Sequence, residues 1–368
     1  MRGPPIRPVV IAAGGTGGHF FPAEALAAEL VARGQWVALM TDARSGGLSS
    51  PVFTGRDRFV IAGAGIAGRG VARGALAAAG LLRGIVQARQ ILTRIEAGVV
   101  VGFGGYPSVA PVTAARLLSH RPGVILHEQN AVLGRANRAL ARGADTLALS
   151  FAATRGLPSG VPAELTGNPV RPALASLAEA PYAPPGDRLN VLVLGGSLGA
   201  RVLSDVVPAA LAGLPPEWRG RLAVTQQCRV EDMERVRAAY CQSRILASLA
   251  PFFDHVGTLL RQAHLVIARA GASTVAELAV AGRPSVLVPL PHAIDDHQSA
   301  NARALADAGA AWVLPQPGFT AEALSALLLR LLPDALPAAA AAARSLARPR
   351  AAEALADLVE RILAERVR

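Results

Sequence analysis

Two glycine-rich segments of this 368-residue chain follow apolar runs. Gly14-Gly15-Thr16-Gly17-Gly18-His19 comes after residues 9–13, and Gly195-Gly196-Ser197-Leu198-Gly199 after residues 190–194. Glycine lets a backbone approach a ligand closely, and the first-turn amides of a helix favour an anion, typically phosphate. Residues 14–18 hold four glycines, more than a tight turn needs, so ligand contact is expected there. In the second segment Ser197 could donate its hydroxyl to a phosphate. His19 falls at a helix start. It reads either as a polar first-turn residue or as a general base, because a helix N-terminus favours the neutral imidazole that can accept a proton.

A dinucleotide fingerprint is the rival explanation, and the spacing fails it. Gly15-Thr16-Gly17-Gly18-His19-Phe20 puts Phe20 where the third glycine is required, although Asp42 stands where a ribose-binding acid would. The literal match Gly63-Ala64-Gly65-Ile66-Ala67-Gly68 follows a short strand, with no acid between Asp57 and Glu96, and reads as chance. Two polar clusters close apolar runs: His127-Glu128-Gln129-Asn130, and Pro291-His292-Ala293-Ile294-Asp295-Asp296-His297-Gln298. At the carboxyl ends of parallel strands such residues face the ligand crevice. A metal site needs three or four ligands in defined geometry, and neither HExxH nor Asp-x-Asp occurs, so no metal is expected. Thr274 and Glu277 fit the capping pattern [ST]-x-x-[DE], which by itself gives Glu277 a structural role.

The elements that would position these residues alternate. Strands are expected at 9–13, 36–41, 59–62, 99–101, 124–127 and 146–149, with a helix over 23–33 ending at Gly34. In the second half they are expected at 190–194, 222–225, 265–268, 285–290 and 311–314, with a helix from about Ala200. Continuous apolar runs suit strands covered on both faces of a parallel sheet. The predicted fold is α/β, two doubly wound Rossmann-like domains with a ligand cleft between them. Gly167-Asn168-Pro169-Val170-Arg171-Pro172 is the linker, giving domains 1–170 and 171–349, with a final helix over 350–368 expected to pack back on the first.

Composition narrows the chemistry. All 37 basic residues are arginine, which excludes a Schiff-base lysine and the P-loop lysine of common NTPases. Cys228 and Cys241 are too few for a disulfide framework. The formal charge of +11 sits almost wholly in residues 1–172, where 18 arginines face 8 acids; residues 173–348 hold 15 and 14. A genome-wide swap of lysine for arginine would not segregate charge by half, so a basic docking surface is expected in the first. From Arg58 to Arg94 six arginines (58, 69, 73, 83, 89 and 94) occur without an acid, and Leu76, Leu81, Leu82 and Ile85 are interleaved. This amphipathic helix from about Val71 reads either as a core helix with a solvated basic face or as a peripheral dock on anionic lipid. The longest uncharged stretch, 97–115, is broken by glycines and prolines, so no membrane span is expected.

Seven motifs in order resemble the MurG family of UDP-N-acetylglucosamine transferases. They are Gly14-Gly15-Thr16-Gly17-Gly18-His19-Phe20-Phe21-Pro22-Ala23, Gly102-Phe103-Gly104-Gly105-Tyr106-Pro107-Ser108, His127-Glu128-Gln129-Asn130-Ala131, Gly167-Asn168-Pro169-Val170-Arg171, Gly195-Gly196-Ser197-Leu198-Gly199-Ala200, residues 269–278 and Asp295-Asp296-His297-Gln298. The likeness runs from about residue 9 to 310, and departs at 69–94, where arginine replaces the family's frequent lysines. It implies a GT-B glycosyltransferase that moves GlcNAc from UDP-GlcNAc to the C4 hydroxyl of MurNAc in lipid I, undecaprenyl-pyrophosphoryl-MurNAc-pentapeptide, with inversion, for peptidoglycan synthesis. The resemblance carries donor contacts onto Thr16, Gly17, Gly18, Asn130, Arg171, Ser197, Phe253, Ala272, Ser273, Thr274, Val275, Ala276, Glu277 and Gln298, with Glu277 on the ribose hydroxyls. His19 is the first candidate base and Glu128 the second. Gly104, Gly105, Tyr106, Arg73, Arg83 and Arg89 mark the acceptor and membrane side. The expected setting is the cytoplasmic face of the inner membrane, peripherally bound to anionic lipid, with no tightly bound cofactor and no nucleic acid. Proteins of cell-wall synthesis and division are implied partners.

Overall fold

The computed structural model describes residues 7–15, 17–43, 50–62, 71–196, 199–332 and 334–367. The chain divides into two compact units, one of Met1–Arg171 with Arg350–Arg368 and one of Pro172–Pro349. Arg171 therefore belongs to the first unit rather than opening the second.

The first unit is a parallel sheet of seven strands in the order β3-β2-β1-β4-β5-β6-β7. They are β1 (Val9–Ala12), β2 (Val37–Asp42), β3 (Arg58–Ile61), β4 (Val99–Gly102), β5 (Gly123–Glu128), β6 (Thr146–Leu149) and β7 (Ala163–Leu165). Side chains alternate along a strand, so Val9 and Ile11 enter one core while Val10 and Ala12 enter another. Both cores are built from buried apolar side chains, which is why the run is apolar without interruption. The helices Gly17–Ala32 and Ala351–Val367 cover the first face through Leu26, Leu30, Leu355, Val359 and Ile362. The helices Val71–Arg94 and Val109–Arg116 cover the second through Ala88, Leu92 and Val112.

Glycine lets the last helix lie close. A Cβ on Gly98 would stand 2.3 Å from Leu363 Cδ1, and one on Gly123 the same distance from Ile362 Cγ2. Arg33 donates to Asp357 at 2.6 Å and to Glu360 at 2.8 Å on that helix. These bonds, Asp357 first, raise the guanidinium pKa further above its ordinary value.

The second unit repeats the scheme with six parallel strands in the order β10-β9-β8-β11-β12-β13. They are β8 (Leu189–Leu194), β9 (Leu222–Gln227), β10 (Leu246–Ala250), β11 (Leu265–Ala268), β12 (Ser285–Leu287) and β13 (Ala311–Val313). Strand order reverses at β1/β4 in one unit and at β8/β11 in the other. At such switch points the loops leaving adjacent strands diverge and open a crevice at the carboxyl ends.

The first helix begins at Gly17, not at residue 23, so glycines 17 and 18 form its first turn. β7 and β10 are additions to the expected strands. Among the described residues no single helix is long and apolar enough to cross a membrane. The pair Ala321–Leu331 and Ala335–Ser345 qualifies on length and composition, but it is bent by 91° and its Leu324, Leu328 and Leu336 lie in the second unit's core.

Candidate functional site

The first unit's switch point gathers both glycine loops around His19. The loop after β1 leads into the helix Gly17–Ala32, which places His19 in its first turn. The loop after β4 carries Gly104 at φ +77° and Gly105 at φ +65°, a left-handed backbone that favours glycine. A Cβ on Gly105 would meet His19 Cδ2 at 3.3 Å and Nε2 at 3.4 Å, and one on Gly104 would meet Asn137 Nδ2 at 3.3 Å. Buried Ser108 fixes this loop, its Oγ 2.9 Å from the carbonyls of both Ala12 and Gly104. Tyr106 follows on the same loop, half-buried.

β5 ends in the polar cluster. Glu128 is buried, and its carboxylate accepts from Asn130 N at 3.0 Å, Asn130 Nδ2 at 3.1 Å, Gly134 N at 2.9 Å and Asn137 Nδ2 at 2.8 Å. Four donors occupy the lone pairs that a base would use, so Glu128 organises the loop that holds Asn130. His127 is fully buried against the Phe103 ring, at 5.1 Å between centroids. Burial, helped by the nearby His19, pushes its pKa down to about 4 despite the hydrogen bond to Gly167 O. Gln129, buried beside it, bridges His127 and His19. The linker side of the site is Arg171, whose guanidinium carbon lies 5.0 Å from the Phe21 ring centroid.

In the second unit the helix Ala272–Ala281 follows β11. Its N-cap is Gly271, with Val275 N donating to Gly271 O, so Thr274 lies inside the helix. The capping box expected of Thr274 and Glu277 is therefore absent, and Glu277 sits in the second turn. Ala272 and Val275 are buried, while Ser273, Thr274, Ala276 and Glu277 are only partly covered. The first-turn amides of such a helix lack intrahelical partners and suit an anion.

Arg269 anchors the approach to that helix, donating to the carbonyls of Val288 and Pro289 and to Gln316 Oε1. Burial lowers its pKa from the ordinary arginine value. Gln298 Oε1 accepts from Leu290 N at 2.9 Å. Between these two residues His292, Asp295 and Asp296 all adopt positive φ, strained conformations for non-glycine residues. Phe253 is buried with its ring edge-on to His255.

Thr16, Ser197 and the side chain of Arg73 lie outside the described residues. Arg83 and Arg89 are exposed on the helix Val71–Arg94, beside Leu76, Leu82 and Val86 at 72, 64 and 55% exposure. Leu81 and Ile85, by contrast, pack against the core. Among the described residues no group of three or more His, Cys, Asp or Glu side chains is placed to hold a metal ion.

Sequence reasoning missed Gln227, which accepts from Gly195 N and donates to the carbonyls of Gly196 and Pro251. It also left Asn137 and Gln129 without roles. Gln129 stood inside a quoted motif; Gln227 had no local signal.

Comparison with known proteins bears on the family and the fold. The Glycosyltransferase family 28 N-terminal domain matches residues 9–149, and the family 28 C-terminal domain residues 190–362. The UDP-N-acetylglucosamine--N-acetylmuramyl-(pentapeptide) pyrophosphoryl-undecaprenol N-acetylglucosamine transferase of Granulibacter bethesdensis is 62% identical over 361 residues, 97% of this chain and 94% of that protein. The protein of that name from Gluconobacter oxydans is 54% identical, over 97% of this chain and 99% of its own length. The crystal structure of Acinetobacter baumannii MurG superposes with a TM-score of 0.77 at 33% identity, covering 96% of this chain and 99% of that one. The spinosyn forosaminyltransferase SpnP, at 18% identity and a TM-score of 0.67, shares the fold alone. With two GT-B-type Rossmann-like units and near full-length identity to these transferases, the chain belongs to the MurG family of UDP-GlcNAc-dependent glycosyltransferases.

Proposed function

We propose that this chain transfers GlcNAc from UDP-GlcNAc to the C4 hydroxyl of MurNAc in lipid I, with His19 as the base and the second unit holding the donor. His19 Nε2 takes the C4 hydroxyl proton as O4 attacks the anomeric carbon. The bond from that carbon to the diphosphate oxygen breaks, its electron pair leaves on UDP, and α inverts to β. The observation that carries the reading is the His19 ring, set between both glycine loops with Nε2 facing Gly105. Glu128, already accepting four hydrogen bonds, is the weaker candidate.

Charge growing on the diphosphate calls for donors fixed before the reaction begins. The amides at the start of Ala272–Ala281 and the backbones of the glycine loops supply them, with Arg171 as the cation. Glu277 is assigned to the ribose hydroxyls, and Asn130 and Gln298 to the donor's polar edge. No tightly bound cofactor enters this scheme.

The acceptor is a lipid, so the protein must reach a membrane surface. Peripheral docking through the helix Val71–Arg94 is proposed, at the cytoplasmic face of the inner membrane. Leu76, Leu82 and Val86 would enter the interface while Arg83 and Arg89 meet anionic headgroups. The deciding experiment follows labelled UDP-GlcNAc with a lipid I analogue. Disaccharide product is expected, and His19→Ala should lower kcat by roughly 10²–10⁴ with UDP affinity little changed. Near-normal kcat in that variant would remove His19 as the base.

A further inference from the structure

We infer that Gln129 and His127 form a relay that fixes the tautomer of His19, keeping the proton on Nδ1 and the lone pair on Nε2. The inference rests on the reading of His19 as the base. It begins at the far end of the relay, where His127 Nε2 lies 3.0 Å from Gly167 O. A carbonyl can only accept, so Nε2 of His127 carries a proton. Fully buried and with its pKa pushed down to about 4, the ring is neutral near pH 7, and its Nδ1 is an acceptor.

That settles the amide of Gln129. Its Nε2 lies 2.9 Å from His127 Nδ1 and 3.2 Å from His127 O, two acceptors for two protons. Flipping the amide would set its oxygen against both. The Oε1 therefore faces outward, 2.9 Å from His19 Nδ1, and can only accept. His19 must donate from Nδ1, which in the neutral ring leaves Nε2 unprotonated and turned toward Gly105. Asn137 Nδ2, 3.1 Å from the same His127 carbonyl, braces the relay from the helix Arg135–Leu140. Glu128 faces this helix, bound to Asn137 rather than to either imidazole.

Gln129 is thus a positioning residue. Without it either tautomer of His19 is open, and the one protonated at Nε2 cannot accept a proton there. The test uses the full chain with 15N-labelled histidine, the His19 signals being identified by their loss in His19→Ala. In the unsubstituted protein, at a pH where the ring is neutral, Nε2 is expected to show the unprotonated signature and Nδ1 the protonated one. Gln129→Met should give a tautomer mixture and lower kcat by about ten-fold or more, with KM for UDP-GlcNAc unchanged. A urea midpoint for Gln129→Met close to that of the unsubstituted protein, beside the tautomer mixture, separates loss of the acceptor from loss of packing.

A neutral His19 ring with its single proton on Nε2 in the unsubstituted protein overturns the relay. So does a Gln129→Met variant with full turnover and a single tautomer. The underlying base reading is tested apart by His19→Ala. Full turnover there removes the base, whereas a disabled alanine variant beside an unaffected Gln129→Met defeats the relay alone.

Discussion

Glu277 shows how one residue can be misplaced by a correct local rule. Thr274-x-x-Glu277 obeys the capping pattern, yet Gly271 takes the cap because the chain leaves β11 three residues earlier. Freed of that duty, Glu277→Ala is expected to weaken UDP-GlcNAc binding about 10- to 100-fold, the worth of a hydrogen bond to a charged group. It should cost the fold less than about 1 kcal/mol. Donor titration beside urea unfolding checks this, and unchanged affinity with a lowered midpoint would return Glu277 to a structural role. His127 carries a pH dependence of its own. Its pKa is 6.5 ordinarily and about 4 in the fold, so between those values the unfolded chain binds the extra proton. Stability should therefore fall as pH drops from about 6.5 to about 4, by at most on the order of 3 kcal/mol from this ring. His264, also held low by burial, acts in the same direction. Unfolding midpoints across that window test it, and His127→Gln should flatten the slope. The motif was legible as polar residues ending a strand; the relay within it was not, because bonds from residue 19 to 129 and from 127 to 167 are set by tertiary structure.

Among elements, the helix Val71–Arg94 divides its apolar residues between two environments. Leu81 and Ile85 serve the core, and Leu76, Leu82 and Val86 do not. Each arginine near an anionic surface contributes about 1 kcal/mol, so replacing Arg83 and Arg89 with Glu should cut partition onto anionic vesicles at least about 30-fold. Binding should also fall as salt rises. Equal sedimentation with neutral and anionic vesicles, or no effect of the double substitution, would defeat the docking assignment. Strands with continuous apolar runs, such as β1 and β11, were readable from sequence because both faces are buried. β10 was not: Leu246-Ala247-Ser248-Leu249-Ala250 leaves Leu246 and Ser248 exposed at a sheet edge. The first helix begins six residues before the expected start because glycine, a poor helix former, gives no helical signal at Gly17 and Gly18.

At the scale of the molecule, duplication of one scheme was legible in the two strand-to-glycine openings, and the boundary at the proline-rich linker. The last helix, expected to pack back on the first domain, lies in the first unit and covers its core. Ile362, nearly buried and seated over Gly123, is the point to probe. Ile362→Ala is expected to cost about 2–5 kcal/mol, read as a lower urea midpoint. A change below about 0.5 kcal/mol would mean that this helix contributes little to the first core.

That helix also sets an order of events during synthesis. The ribosome passes Arg171 with Val9, Ile11 and Leu30 still missing the cover that Leu355, Val359 and Ile362 provide. It must then make the whole of Pro172–Pro349, at about 5–20 residues per second on the order of ten to forty seconds. Throughout that interval the nascent first unit exposes a greasy seam, the kind of surface that holdase chaperones bind. Chains arrested before residue 350 should be cut within the first unit by a protease that leaves the released, full-length chain intact.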